Sequence, residues 1–232
     1  MNRFLIDTPT ADATQITLDE GESHHAIRVM RMGLGSRLEA FDGKGLRLLA
    51  EITDPHPKRV RCDILEREQM PPEPGSGLIL AIGLIKKAER LEFALEKATE
   101  IGVGAIWLFS ADHSESSRIR EDRLQAHLVA AAKQSKRFHV PQLRFFPSMD
   151  AMLKESADRP HILAHEKTPS TVATTPIPPD AVLLVGPEGG FSDREVALAT
   201  SLGAVPHSLG AFRLRTETAA LTLLLSARLG SS

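Results

Sequence analysis

The sequence predicts an α/β fold, a mostly parallel sheet with helices on both faces, preceded by a small β-barrel-like module. Three observations carry this. Short strand-like segments crowd the first 70 residues, and apolar strands alternate with helical segments from residue 78 onward. Between them MPPEPGSG, residues 70–77, packs three prolines and two glycines into eight positions, a composition that resists helix and sheet alike. The expected division is a barrel over 1–70, a linker over 71–77 and an α/β domain over 78–232.

In the first module, residues 3–6 and 15–18 read as strands. Residues 37–41 run into Asp42-Gly43-Lys44-Gly45, a hairpin-turn signal, and a strand follows over 46–53. Residues 59–65 alternate Val60, Cys62 and Ile64 on one face. HHAIRVMR, residues 24–31, reads as the one helix of this module.

In the second domain the strand candidates are 78–84, 104–109, 142–146, 161–165, 181–185 and 205–209. From Arg90 to Ile101, Leu91, Ala94, Leu95, Ala98 and Ile101 share a helical face, and Gly102 marks its stop. Residues 121–136 form a second helix with Leu124, Leu128, Ala131 and Ala132 inward. Strands separated by helices of this length imply a parallel sheet. KTPSTVATTPIPPD, 167–180, reads as a polar loop.

Bulk properties narrow the class. The chain has 232 residues, 42% hydrophobic and 25% charged, as in an ordinary soluble globular protein. Cys62 is the only cysteine, so no internal disulfide forms and a reducing, cytoplasmic setting is expected. MNRFLIDTPT lacks the apolar core of a signal peptide, and LILAIGLI at 78–85 is too short to span a bilayer. No membrane association is expected. The histidines lack metal-ligand spacing, and no metal is assigned. Net charge is −2, with 10 basic against 12 acidic residues up to residue 70 and 18 against 18 after it. Any nucleic-acid surface must therefore be local.

Two glycine corners stand out, because ligands of such sheets sit beyond the carboxyl ends of the strands. In AVLLVGPEGGFSDREV, 181–196, a strand runs into Gly186-Pro187-Glu188-Gly189-Gly190, and Ser192 with Glu195 forms a capping-box pattern that opens a helix. In HSLGAFRLRTETAALTLLLSARL, 207–229, Gly210 opens a loop holding Arg213 and Arg215. Thr216 is placed to cap a helix with Glu217 and Thr218 in its first turn. That helix is apolar almost all round, so it threads the core or forms half of a subunit interface. Neither phosphate-loop pattern is present, and Glu188 would repel phosphate. A neutral or cationic ligand with adenine-like edges, read by backbone groups, fits better. A plain strand-to-helix turn is the other reading of the first corner.

VGPEGGFSDREV followed by SLGAFRLRTETAAL closely resembles the 16S ribosomal RNA uracil-N3-methyltransferases, the RsmE-type branch of the knotted SPOUT methyltransferases. KKAERLEFALEKATEIGV (86–103) is similar to the first helix of that family's catalytic domain, and AAKQSKRFHVP (131–141) to its next helix end. HHAIRVMRMGLGSRLEAFDGKG (24–45) resembles its N-terminal PUA-like RNA-binding domain. The resemblance implies a trefoil knot in the α/β domain, S-adenosyl-L-methionine as cofactor and a homodimer through the catalytic domain. It also implies, as substrate, a uridine in the decoding region of 16S rRNA in the 30S subunit.

Carried over, the cofactor pocket takes in His165 and Glu166, then Gly186, Pro187, Glu188, Gly189 and Gly190. From the second corner it takes Leu209, Gly210, Leu214, Arg215, Thr216 and Thr218. The chain departs from the family's usual Gly-Pro-Arg: Gly210 is followed by Ala211 and Phe212, with the extra arginine at 213. Tyrosine is absent, so base stacking falls to Phe, His or Arg.

Uracil N3–H is a weak acid whose anion spreads onto the flanking carbonyl oxygens. Arg215 is assigned to stabilise that charge, and Glu217 to accept a proton or orient the arginine. A helix-terminal charge is the competing reading of Glu217. For RNA contact the candidates are His24, His25, Arg28, Arg31 and Lys44 in the first module. In or beside the second they are Lys86, Lys87, Arg90, Lys133, Lys136, Arg137 and Arg213. Solvated charge balanced by nearby acids is the reading to beat for each. Two other functions stay open: a SPOUT enzyme acting on another rRNA or tRNA base, and a non-catalytic RNA-binding assembly protein.

Overall fold

A computed structural model describes residues 1–115, 119–166 and 176–230. Most of the polar loop expected over 167–180 lies outside the described residues. The chain divides into two compact units, Met1–Pro72 with Ala132–Val140, and Glu73–Ala131 with Pro141–Ser232.

The first unit holds β1 (Arg3–Leu5), β2 (Gln15–Thr17), α1 (Glu20–His24), β3 (Arg37–Phe41), β4 (Leu46–Asp54) and β5 (Arg61–Gln69). They form a five-stranded sheet in the order β1-β3-β4-β5-β2. β1 runs parallel to β3 and every other pairing is antiparallel. Inward positions alternate along the strands, so Phe4, Leu38, Leu48 and Ile52 fill a core of their own. The hairpin turn is tied by Asp42, whose Oδ1 accepts from the N–H groups of Lys44 at 2.8 Å and Leu46 at 3.0 Å.

The helix expected over 24–31 begins earlier and changes type. Asp19 caps α1 by accepting from Glu22 N–H at 2.7 Å. The chain then widens into a π-helical turn over His25–Val29. Arg31 is not helical: its φ is +53°, in the left-handed region. A buried ion cluster holds β3 and β4 together. Glu39 receives Arg3 Nε at 2.5 Å and Arg47 Nε at 2.7 Å.

The second unit is a six-stranded sheet of β6 (Ile79–Gly83), β7 (Ala105–Phe109), β8 (Gln142–Phe146), β9 (His161–Ala164), β10 (Val182–Val185) and β11 (Val205–His207). The order is β11-β9-β10-β6-β7-β8 and every pairing is parallel. β6, β7 and β10 are buried at each position, as strands covered on both faces must be. Ile79 and Ala81 join Met149, Met152 and Ala199 in one cluster. That places α4 (Met149–Glu155) and α5 (Asp193–Ser201) on one face. On the other, α6 (Thr216–Leu229) packs on β6, β10 and α2 (Ala88–Ile101).

Gly102 ends α2 in the left-handed conformation at φ 109°, its N–H returning to Ala98 and Thr99. α3 covers Glu121–Gln134. α4 has no counterpart in the expected elements. Ser148 caps it, and Met149, Met152 and Leu153 give it an apolar face. α6 buries Ala220, Leu223, Leu224 and Ala227, while Leu225 and Leu229 remain exposed. Among the described residues no helix is long and apolar enough to cross a membrane.

Candidate functional site

β11, β9 and β10 are neighbours and parallel, so the loops beyond their carboxyl ends leave the sheet on one side. Residues 165–166 follow β9, 186–192 follow β10 and 209–215 follow β11. With Arg90 from α2 and His113 from the loop after β7, they line one cavity of about 1150 Å³. The two glycine corners therefore face the same space.

The first corner is a tight turn closed by Gly190 N–H on the Pro187 carbonyl at 2.9 Å, with Gly190 at φ 72°. Gly189 passes so close to the next loop that a Cβ there would sit 2.8 Å from His113 Cβ. The helix after the corner starts with a full capping box. Ser192 Oγ accepts from Glu195 N–H at 3.1 Å, and Glu195 Oε2 accepts from Ser192 N–H at 2.9 Å. Glu195 is wholly buried, and its second oxygen accepts from Asp112 N–H at 3.0 Å. Asp112 binds Arg194 and Ser192 in turn, and these hydrogen bonds pull its carboxyl down to about 2.

His113 Nδ1 lies 3.2 Å from the Gly190 carbonyl. A carbonyl only accepts, so Nδ1 carries the hydrogen in this bond and the neutral ring keeps its lone pair on Nε2. Glu188 accepts from Lys86 backbone N–H at 3.4 Å, and the Lys86 ammonium is bound by Glu115, which raises its pKa.

In the second corner, Arg213 reaches Glu166 at 3.7 Å and the Glu188 carbonyl at 3.5 Å. The backbone N–H groups of Leu209 and Leu214 have no hydrogen-bond partner among the described residues. Arg215, not Thr216, is the cap of α6. Its backbone is extended, its carbonyl accepts the first helical bond from Ala219 at 2.8 Å, and no side chain caps the end. Thr216 is instead the first helical residue and is buried. The Arg215 side chain is exposed and makes no hydrogen bond or ion pair among the described residues.

Of the expected cofactor residues, His165, Glu166, Gly186 to Gly190, Leu209, Gly210, Leu214, Arg215 and Thr216 all line the cavity. Thr218 does not: two residues on, the helix turns it away, and it is exposed elsewhere. Glu217 is also off the wall. It is 9% exposed, with Oε1 3.7 Å from Arg90 Nε and Oε2 without a hydrogen-bond partner. Arg90, expected on an RNA-facing surface, belongs to the cavity wall. His113 and Phe191 line it too and were not singled out, and Phe212, noted in the sequence as a departure from the family pattern, lines it as well. Only the rule that strand ends carry ligands pointed toward the loop holding His113.

The remaining basic candidates fall in both units. In the first, His24, His25, Arg28, Arg31, Lys44 and Lys136 are exposed, whereas Arg137 is buried and out of reach of an RNA backbone. In the second, Lys86 and Arg213 are exposed but already engaged by carboxylates. No group of His, Cys, Asp or Glu among the described residues is arranged to hold a metal ion.

Comparison with known proteins gives this site a context. The RNA methyltransferase domain family matches residues 72–228, and the RNA methyltransferase PUA domain family matches residues 18–65. The ribosomal RNA small subunit methyltransferase E of Mesomycoplasma hyopneumoniae is 30% identical over 175 residues, covering 72% of this chain and 76% of that protein. Its Bacillus subtilis namesake is 27% identical across 97% of this chain and 94% of its own length. A methyltransferase of Legionella pneumophila solved with bound cofactor SAM superposes with a TM-score of 0.86 at 28% identity, over 98% and 96% of the two chains. The Neisseria gonorrhoeae ribosomal RNA small subunit methyltransferase E, bound to S-adenosyl methionine, gives 0.82 at 25% identity over 99% and 97%. With a family match over two thirds of its length and relatives of one name along the whole of it, this chain belongs to the RNA methyltransferases of the ribosomal RNA small subunit methyltransferase E family.

Proposed function

We propose that this protein methylates N3 of a uridine in the decoding region of 16S rRNA, in the small ribosomal subunit, using S-adenosyl-L-methionine. The observation that carries the reading is the meeting of both glycine corners in one cavity with a free arginine, Arg215, on its wall.

The wall suits the cofactor. The unpaired N–H groups of Leu209 and Leu214 offer donors to an adenine edge, and the carboxylates of Glu166 and Glu188 suit a cationic sulfonium and amino group. The volume, about 1150 Å³, exceeds the roughly 300–1,000 Å³ of a single-ligand pocket, leaving room for a base beside the cofactor. When bound, the cofactor supplies an electrophilic methyl group.

The chain's own residues do the rest. Arg215 donates to the uracil carbonyl oxygens as negative charge spreads onto them, where a fixed guanidinium acts without reorganising. His113 Nε2, with its lone pair set by the Gly190 contact, takes up the N3 proton. Glu217 sits behind Arg90 and orients that arginine. His24, His25, Arg28, Arg31, Lys44 and Lys136 supply phosphate contacts. A homodimer through the α/β unit would cover Leu225 and Leu229 of α6 and Phe93 of α2, all exposed in the single chain. A protein acting on ribosomes would work in the cytoplasm, and its α/β unit would follow the knotted path that the family resemblance implies.

The test pairs calorimetry of S-adenosyl-L-methionine with mass mapping of uridine methylation in small-subunit RNA. Arg215→Ala should abolish methyl transfer and largely keep cofactor binding. Wild-type turnover in that variant removes Arg215 from the mechanism. A wild-type protein that binds no cofactor is an assembly factor, and methylation found only in tRNA assigns another branch.

A further inference from the structure

Phe212 is the most exposed large apolar side chain among the described residues, at 87%, and it lies on the cavity wall. Isolated apolar residues on a surface need no explanation. Phe212 differs through where it stands and how its loop is held. Gly210, two residues earlier, has φ 112°, yet a Cβ there would meet nothing within 4 Å. That glycine serves the path of the backbone, not a shortage of room. Arg213 is drawn across to Glu166 and to the Glu188 carbonyl. Between a backbone bend and a tethered guanidinium, the ring of Phe212 has no ring or cation partner among the described residues.

The reaction itself asks for such a surface. N3 of uracil lies between O2 and O4, so the whole pairing edge must turn toward the methyl donor and its stabilising groups. The two faces of the base are then its largest surface left for the protein to grip. An aromatic face supplies that grip for a base taken out of its stack.

We propose that Phe212 stacks on the target uracil and positions its pairing edge over the cavity. This rests on the RNA-methylation reading above.

The experiment compares Phe212→Ala, Phe212→Leu and Phe212→Trp in the full chain. Alanine should raise KM for small-subunit RNA about tenfold or more, the usual loss when a base–aromatic stack is removed. Leucine, which keeps apolar bulk without a π face, should not restore it, whereas tryptophan should. Cofactor affinity by calorimetry should stay unchanged in all three. In F212W the new indole should be quenched by uridine-rich RNA oligonucleotides, against the constant background of buried Trp107. Rescue by leucine, a wild-type KM for alanine, or an alanine variant that binds the cofactor tenfold more weakly would each overturn the proposal. A change of oligomeric state in the alanine variant would also do so, by assigning the ring to a subunit contact. Quenching does not depend on methyl transfer. If the protein transfers no methyl group but the F212W indole is quenched, the functional reading fails and the stacking site stands. If it methylates without quenching, the stacking fails alone.

Discussion

Gly83 ends β6 directly beneath the first glycine corner, and a single methyl group there tests how the sheet shapes the site. A Cβ on Gly83 would sit 2.6 Å from Pro187 Cδ and 2.8 Å from Pro187 N, where ordinary contact begins at 3.4 Å. Either the strand or the proline must retreat by about 0.8 Å, and β6 cannot, being hydrogen-bonded between β7 and β10. The corner therefore moves. Overpacking of this kind costs about 1–3 kcal/mol, which lowers the melting temperature by roughly 2–12 °C in a chain of this length. A displacement near 1 Å at the site should cost up to about a hundredfold in turnover, and affinity for S-adenosyl-L-methionine should fall at least about tenfold, the equivalent of 1.4 kcal/mol. Gly33→Ala is the control, because a Cβ there meets nothing within 4 Å and φ is not left-handed. It should be neutral, or stabilising by about 0.4–1 kcal/mol. Thermal melting and calorimetry on the two variants decide the matter. Gly83→Ala with the melting point and cofactor affinity of the wild type would refute the claim that β6 sets the corner's position.

Three further outcomes follow from buried charge. Arg90→Ala leaves the Glu217 carboxylate with neither oxygen satisfied and should destabilise by about 1–3 kcal/mol. Adding Glu217→Gln should recover part of that loss, and strictly additive effects in denaturant melts would refute the pairing. Glu39→Ala removes the carboxylate that two mostly buried guanidiniums share, leaving Arg47 with Glu68 but Arg3 with no carboxylate among the described residues. About 3 kcal/mol should be lost, and a loss below about 1 would show the cluster to be incidental. Burial pushes the imidazoles of His161 and His207 below the ordinary value near 6.5. The unfolded chain then takes up protons first, so stability is complete above about pH 7 and falls as pH drops through that ordinary value. Melting temperatures from pH 7 to 5 should decline less in the His161→Asn/His207→Asn double variant. A wild-type profile flat over that range would remove these histidines from the linkage.

Local patterns in the sequence carried most of the architecture. β-strand alternation, the Asp42–Gly45 turn, the Gly102 stop and the Ser192/Glu195 capping box depend on residues near in sequence, and each is found as expected. The π-helical widening at His25–Val29 was not legible, because an i→i+5 bond leaves no mark on apolar spacing. α4 escaped because it is only seven residues long, although Ser148 with Met149, Met152 and Leu153 spells a capped apolar face. At the site, both corners were visible as glycine-rich breaks after strands. His113 and the Arg90–Glu217 pair were not, since nothing along the chain indicates which loop will cross Gly189 or which helix will lie against α6.

Glu195 ties two loops of the cavity to one point. Because its oxygens hold the start of α5 and the 110–115 segment separately, neither can drift without dragging the other. On the proposed reading, changes near His113 will thus be felt at the first glycine corner, where the methyl donor would sit. The two sides of the cavity would then have to be re-engineered as a unit, with that acid left in place.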